Sequence, residues 1–174
     1  MESGIGIKRM EIQEIQTDKI ESSGVYPLQE GTPDALVLHC SDHRFQEAFH
    51  DFIREELNIK MPAVIAIPGS VSSFGVQTFL PKGWHALRNQ IELMTSHNKF
   101  SRVILINHED CKGYAKIVQF LGGLSRIIGE QRRHLQLIGK FIKKEYLPNS
   151  QVELYQAKIV REDNSAHVQF EKII

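Results

Sequence analysis

Ala35-Leu36-Val37-Leu38-His39-Cys40-Ser41-Asp42-His43-Arg44 is an apolar run that ends in a thiol, a carboxyl group and a guanidinium. The same plan recurs downstream, where Val103-Ile104-Leu105-Ile106-Asn107 leads into His108-Glu109-Asp110-Cys111. Short, continuous apolar runs are the pattern of strands buried on both faces of a parallel sheet. Open α/β sheets carry their sites at the carboxyl edge of such strands. If both runs are parallel strands, two thiols and one imidazole emerge together there, and this is the soft donor set that zinc prefers.

The bulk composition narrows the field. A chain of 174 residues suffices for one domain with a real core and is short for two. Lys plus Arg and Asp plus Glu number 21 each, so the formal net charge is zero and the basic footprint of a nucleic-acid binder is missing. No apolar run approaches the length of a membrane span, and residues 1–8 lack a signal-peptide core, so no membrane partner and a cytoplasmic location are expected. Two cysteines in such a protein favour metal binding or catalysis over a disulfide framework.

Along the chain, residues 1–33 are polar and weakly patterned, and read as an N-terminal arm. Residues 34–174 read as a single α/β zinc-binding domain. Strands are expected at 35–39, 63–67 and 102–107. Phe45, Phe49, Phe52, Ile53 and Leu57 share one face of a helix over 45–57, and Trp84, Leu87, Ile91 and Met94 mark another. Residues 68–83 look irregular. A helical region after Gly113 is expected to break near Gly122-Gly123 and near Gly129, and to stop at Leu147-Pro148-Asn149. Alternation from Val152 to Ile159, a turn at 161–164, then Val168 and Phe170 predict a strand with an antiparallel edge partner. The fold class that follows is α/β, a mostly parallel central sheet flanked by helices.

A zinc site built for chemistry uses three protein ligands and leaves the fourth place open. Cys40, His108 and Cys111 supply that count. Taken singly, each cysteine reads as a buried inert thiol and the histidine as a satisfied core residue. Together, Cys-x-Asp-x-Arg and His-x-x-Cys at neighbouring strand ends favour a metal.

The two motifs, in this order, resemble the signature of the β-class carbonic anhydrases, and the resemblance spans most of residues 35–172. It implies that fold, with Zn2+ bound by Cys40, His108 and Cys111, and with Asp42 and Arg44 as a catalytic dyad. It implies reversible hydration of CO2 to bicarbonate by a zinc-bound hydroxide, with Asp42 accepting that hydroxide's hydrogen bond. Arg44 would hold Asp42 off the metal through a bidentate pair. Broken, that pair would release Asp42 as a possible fourth zinc ligand. The family pairs its copies through an N-terminal arm and a sheet edge, so a homodimer or larger homo-oligomer is implied.

The sequence departs from the family pattern in two places. Lys112 stands where a glycine usually follows the second cysteine, with Gly113 next, and the loop at 67–75 replaces the usual Arg-Asn-Ala-Gly type segment. The alternatives are therefore a hydrolase acting on carbonyl sulfide or carbon disulfide, or a non-catalytic zinc-binding module. Among the neighbours, His43 reads as an exposed turn residue or a proton shuttle, and His39 as a core or supporting residue. Glu109 and Asp110 read as a solvated loop with the option of bonding His108. Ser70, Ser72 and Ser73 read as anion donors or ordinary loop chemistry, and Phe74 as a pocket wall or a core anchor.

Overall fold

In the computed structural model the described residues are 24–75, 81–115, 127–163 and 165–174. The chain divides into two units, residues 1–30 and 31–174. Residues 24–30 of the first contain no helix or strand; the second contains every element below.

Five strands form one sheet: β1 (Ala35–Cys40), β2 (Pro62–Ile67), β3 (Arg102–His108), β4 (Gln151–Glu162) and β5 (Ser165–Ile173), in the order β2-β1-β3-β4-β5. The first four are parallel and β5 runs antiparallel to β4. Every residue of β1 is buried, as is all of β3 after Arg102, which is why both read as unbroken apolar runs. Alternation still sorts their side chains. Leu36, Leu38, Val103 and Leu105 pack against α3 (Pro81–His97) and α4 (Ile127–Glu145) through Trp84, Leu87, Leu135 and Ile138. Val37, Ile104 and Ile106 face Phe45, Phe49, Phe52 and Ile53 on the opposite side.

Three expectations need correction. The predicted helix over 45–57 has three geometries in succession: a 3-10 turn at His43–Phe45, α1 at Gln46–Asp51, and a π turn at Phe52–Glu56. The Leu57 N–H reaches back to the Phe52 carbonyl, and Asn58, at φ 51°, ends the run. Apolar spacing marks the buried face but does not distinguish these turn types. The break expected near Gly129 is absent, since α4 runs straight through it. A helical glycine costs only about 1 kcal/mol, and buried Gln131, Leu135, Ile138 and Ile142 anchor this helix. The other expected break, at Gly122-Gly123, lies outside the described residues. The loop at 68–83 is partly helical: Ser72–Gly75 form a short α2, and 81–83 belong to α3.

Strand ends also move. β1 extends to Cys40 and β3 to His108, so two candidate ligands are the last residues of adjacent strands. The long β4–β5 hairpin keeps pairing to Glu162 and Ser165, two residues tighter than the expected turn. At its far end Glu153, 5 % exposed, binds Arg102, Lys172 and the Tyr155 hydroxyl. Burial pushes the Glu153 carboxyl up, but the Lys172, Tyr155 and Arg102 donors outweigh it and hold the group ionised. Among the described residues, no helix is long and apolar enough to cross a membrane.

Leu105 is fully buried between β1 and the helices, whereas Leu93 on α3 is 59 % exposed. Leu105→Ala is expected to cost about 2–5 kcal/mol in urea unfolding, and Leu93→Ala about 0.5 kcal/mol or less.

Candidate metal centre

The first motif leaves β1 through a rigid turn. Asp42 caps it, its Oδ1 accepting the Arg44 N–H at 3.1 Å. The Gln46 amide donates to the carbonyls of Cys40 and Asp42, at 3.0 and 2.7 Å, and so ties α1 to the strand end. Arg44 then folds back on Asp42, with Nε on Oδ1 at 3.1 Å and Nη2 on Oδ2 at 2.8 Å. Its remaining donor, Nη1, binds Asp110 Oδ2 at 2.9 Å, across the cleft in the second motif. The hydrogen bond from Arg44 holds the Asp42 carboxyl well below the usual carboxylate range, and Asp42 and Asp110 raise the Arg44 pKa in return. Arg44 is 40 % exposed, so this pair fixes geometry and charge state more than it adds stability.

The second motif bends sharply. Asp110 sits at φ 57°, a conformation that asparagine and aspartate tolerate better than other side chains. This turn brings Cys111 back beside Cys40, and the two sulfurs lie 3.9 Å apart. His108 joins them: one ligand atom from each of Cys40, His108 and Cys111 falls within 4.8 Å of the others, and all three residues are buried. Asp42 stands outside this trio, occupied by Arg44.

Two glycines permit the convergence. Gly69 is at φ 79°, and its N–H donates to the Cys40 sulfur at 3.2 Å. Gly113 lies against it so closely that a Cβ there would stand 2.6 Å from the Gly69 Cα. The loop after β2 and the loop after β3 touch backbone to backbone, which no larger residue allows.

The donor set fits a zinc ion on two observations. Around an ion with Zn–S bonds of about 2.3 Å, tetrahedral sulfurs stand roughly 3.8 Å apart, close to the separation seen. His108 is 1 % exposed and its Nε2 is buried without a hydrogen-bond partner, an expensive condition unless a ligand completes it. The thiols share the same logic. Hydrogen bonding with Cys111, aided by the Gly69 N–H, draws the Cys40 thiol down, while the same contact and burial push Cys111 up. One sulfur of the pair is thus prepared as a thiolate.

The neighbouring residues divide into used and unused. A cavity of about 310 Å³ opens over Cys40, Asp42, Arg44, Gly69, Cys111 and Lys112. His43 lies on its rim with a side chain 94 % exposed. His39 points away from Cys111, its Nδ1 2.9 Å from the Cys40 carbonyl and its ring 4.7 Å from Phe49, and burial lowers its pKa. Ser70 donates to the Ile106 carbonyl at 3.0 Å and is spent on structure. Phe74 packs on Trp84 and Phe141, so it anchors α2 to the core. Sequence reasoning missed Gln46, Gly69 and the link from Asp110 to Arg44. Only Gly69, in Pro68-Gly69-Ser70, carried a local signal, that of a sharp loop.

Residues 32–154 match a protein-family model described as "Putative carbonic anhydrase". The chain belongs to that family. Family membership agrees with the resemblance drawn from the two motifs. No curated protein matches the sequence. Similar solved structures include a carbonic anhydrase from Glaciozyma antarctica, 16 % identical over 73 % of this chain and 78 % of that one, at a TM-score of 0.44. Two tetrameric β-carbonic anhydrases from Sordaria macrospora are the subject of another, at 16 % identity, 74 % and 76 % coverage and a TM-score of 0.45. A third, β-carbonic anhydrase isoform I from Trichomonas vaginalis, is 10 % identical over 83 % and 87 % of the two chains, at a TM-score of 0.39.

Gly113→Ala is expected to push the two loops apart and to lower metal content in the purified protein by at least about tenfold, read by elemental analysis. The Asp42–Arg44 pair carries a pH signature. Because the folded pKa of Asp42 lies below its unfolded value of about 3.9, its contribution is complete above that value and is lost as pH falls through the depressed one. The stability difference between the parent and Arg44→Gln is therefore expected to hold at neutral pH and to shrink in strong acid, as measured by urea unfolding across pH.

Proposed function

We propose that this member of the carbonic anhydrase family is a zinc-dependent lyase that interconverts CO2 and bicarbonate. The observation that carries the reading is the pairing of an open trio of soft donors with a carboxylate already claimed on both oxygens. Cys40, His108 and Cys111 would hold Zn2+, which when bound supplies a Lewis acid that brings the pKa of a coordinated water to about 7.

The chain's own residues do the rest. Arg44 engages Asp42 at 3.1 and 2.8 Å, which keeps the carboxylate ionised and away from the trio. An ionised carboxylate only accepts hydrogen bonds, so Asp42 is suited to take one from a hydroxyl group in the cavity and orient it toward substrate. Asp110 secures Arg44 from the opposite loop, so the cation cannot swing away without breaking a second charged contact. The pair is the feature that supports an enzyme over a closed structural site, because release of Asp42 requires Arg44 to leave it. The cavity walls contributed by Gly69 and Gly113 lack side chains and leave room for a small linear substrate.

In this reading the protein works as a homodimer or larger homo-oligomer, with residues 1–33 as the pairing arm. A monomer in light scattering overturns that part alone.

Stopped-flow CO2 hydration on zinc-loaded protein tests the activity. Cys40→Ser is expected to lose the metal and the activity together. Arg44→Ala is expected to keep zinc while hydration falls by about 100-fold or more. Removal of zinc by a chelator should abolish turnover and its return should restore it. Stoichiometric zinc with no hydration between about pH 7 and 9, the range over which a zinc-bound water ionises, defeats the proposal.

A further inference from the structure

The end of β3 contains a hydrogen-bond exchange that the function proposed above does not use. The Glu109 N–H donates to the Ala157 carbonyl at 2.9 Å, which carries the β3–β4 ladder one residue beyond His108. In a parallel ladder, a residue that donates to one partner residue accepts, through its own carbonyl, the N–H two residues further along. That N–H belongs to Ile159, and here it goes to Oε1 of the Glu109 side chain. The Glu109 carboxylate thus stands in for the Glu109 carbonyl. The carbonyl is left to His108, whose Nδ1 lies 2.7 Å from it.

The direction of one peptide group is what matters. A ladder bond would aim the Glu109 carbonyl at β4; the observed bond aims it at the neighbouring ring. A carbonyl oxygen can only accept, so Nδ1 carries a proton, and in the neutral ring Nε2 carries the lone pair. Nε2 is the buried atom without a partner, and His108 belongs to the trio that includes both cysteines. The ring is further wedged against Phe45, 4.2 Å between centroids, so it has little freedom to find another donor or acceptor.

We propose that Glu109 is a positioning residue, whose carboxylate takes the Ile159 N–H and thereby frees the Glu109 carbonyl to hold His108 as the Nδ1–H tautomer, with Nε2 available to a metal. The role needs an acceptor oxygen at that reach and not a charge. Glu109→Gln keeps such an oxygen and is expected to behave as the parent does. Glu109→Ala removes it, and the Ile159 N–H reclaims the carbonyl. Glu109→Asp, one methylene shorter, moves in the same direction with a smaller perturbation.

The inference rests on the metal reading above, so its test begins without metal. Long-range proton–nitrogen spectra of the metal-free protein report the His108 tautomer directly. The parent and Glu109→Gln are expected to show the Nδ1–H form alone, and Glu109→Ala and Glu109→Asp a mixture of tautomers with unchanged far-UV circular dichroism. Zinc competition against a chromophoric chelator should then show a dissociation constant raised 10- to 100-fold in Glu109→Ala and close to the parent's in Glu109→Gln. Retention of a single tautomer in both Glu109→Ala and Glu109→Asp overturns the proposal, as does loss of it in Glu109→Gln. If the parent shows the expected tautomer but takes up no zinc, the metal reading fails and the ring-positioning role stands.

Discussion

The parallel pairing of β1 with β3 is the contact on which the rest of the molecule depends. Both strands are buried on both faces, so their register is fixed by two cores at once, one under α3 and α4 and one under α1. A slip of one residue would drive each apolar side chain into the wrong layer. The site inherits that precision, because Cys40 and His108 are the terminal residues of these strands. Beyond them only short turns remain to be fixed, and the close contact of Gly69 with Gly113 fixes them.

Charge at the site is arranged in two tiers. The outer one is the Asp42–Arg44–Asp110 chain, partly exposed, with hydrogen-bond geometry that orients Asp42 and keeps it ionised. The inner one is the buried thiol pair, 3.9 Å apart, where hydrogen bonding between the two sulfurs draws the Cys40 thiol down. A buried thiolate beside a partnerless imidazole nitrogen is costly in a protein interior unless something cationic completes it. A divalent ion answers both demands, and such binding energy becomes stability of the fold around it.

Family membership gives a fold and a candidate site; a substrate follows from the site's own geometry. In this chain the cavity is lined on one side by Cys40, Asp42, Arg44 and Cys111, and it also meets Pro68, Gly69 and Gly113, of which the two glycines offer no side chain. The serines of the 68–75 loop do not supply that cavity with donors. Ser70 is spent on the Ile106 carbonyl. The proposed function therefore draws on Asp42 and on the shape of the cleft, and not on those serines.

The sequence by itself determined the layer order, the three core strands and the identity of the converging thiols and imidazole. Each of these is written in apolar periodicity or in residue chemistry at strand ends, and both are local signals. Only the tertiary structure decided that Asp110 seals Arg44, that Glu109 replaces its own carbonyl beside Ile159, and that Gly113 must be small because Gly69 lies against it. It also decided that the Gly129 helix stays whole, since buried residues further along α4 outweigh one glycine. The three loop contacts join segments 44 to 66 residues apart, the longest being that of Arg44 with Asp110. No pattern read within a window of neighbouring residues contains them, because the distances that make them possible exist only once the sheet has closed.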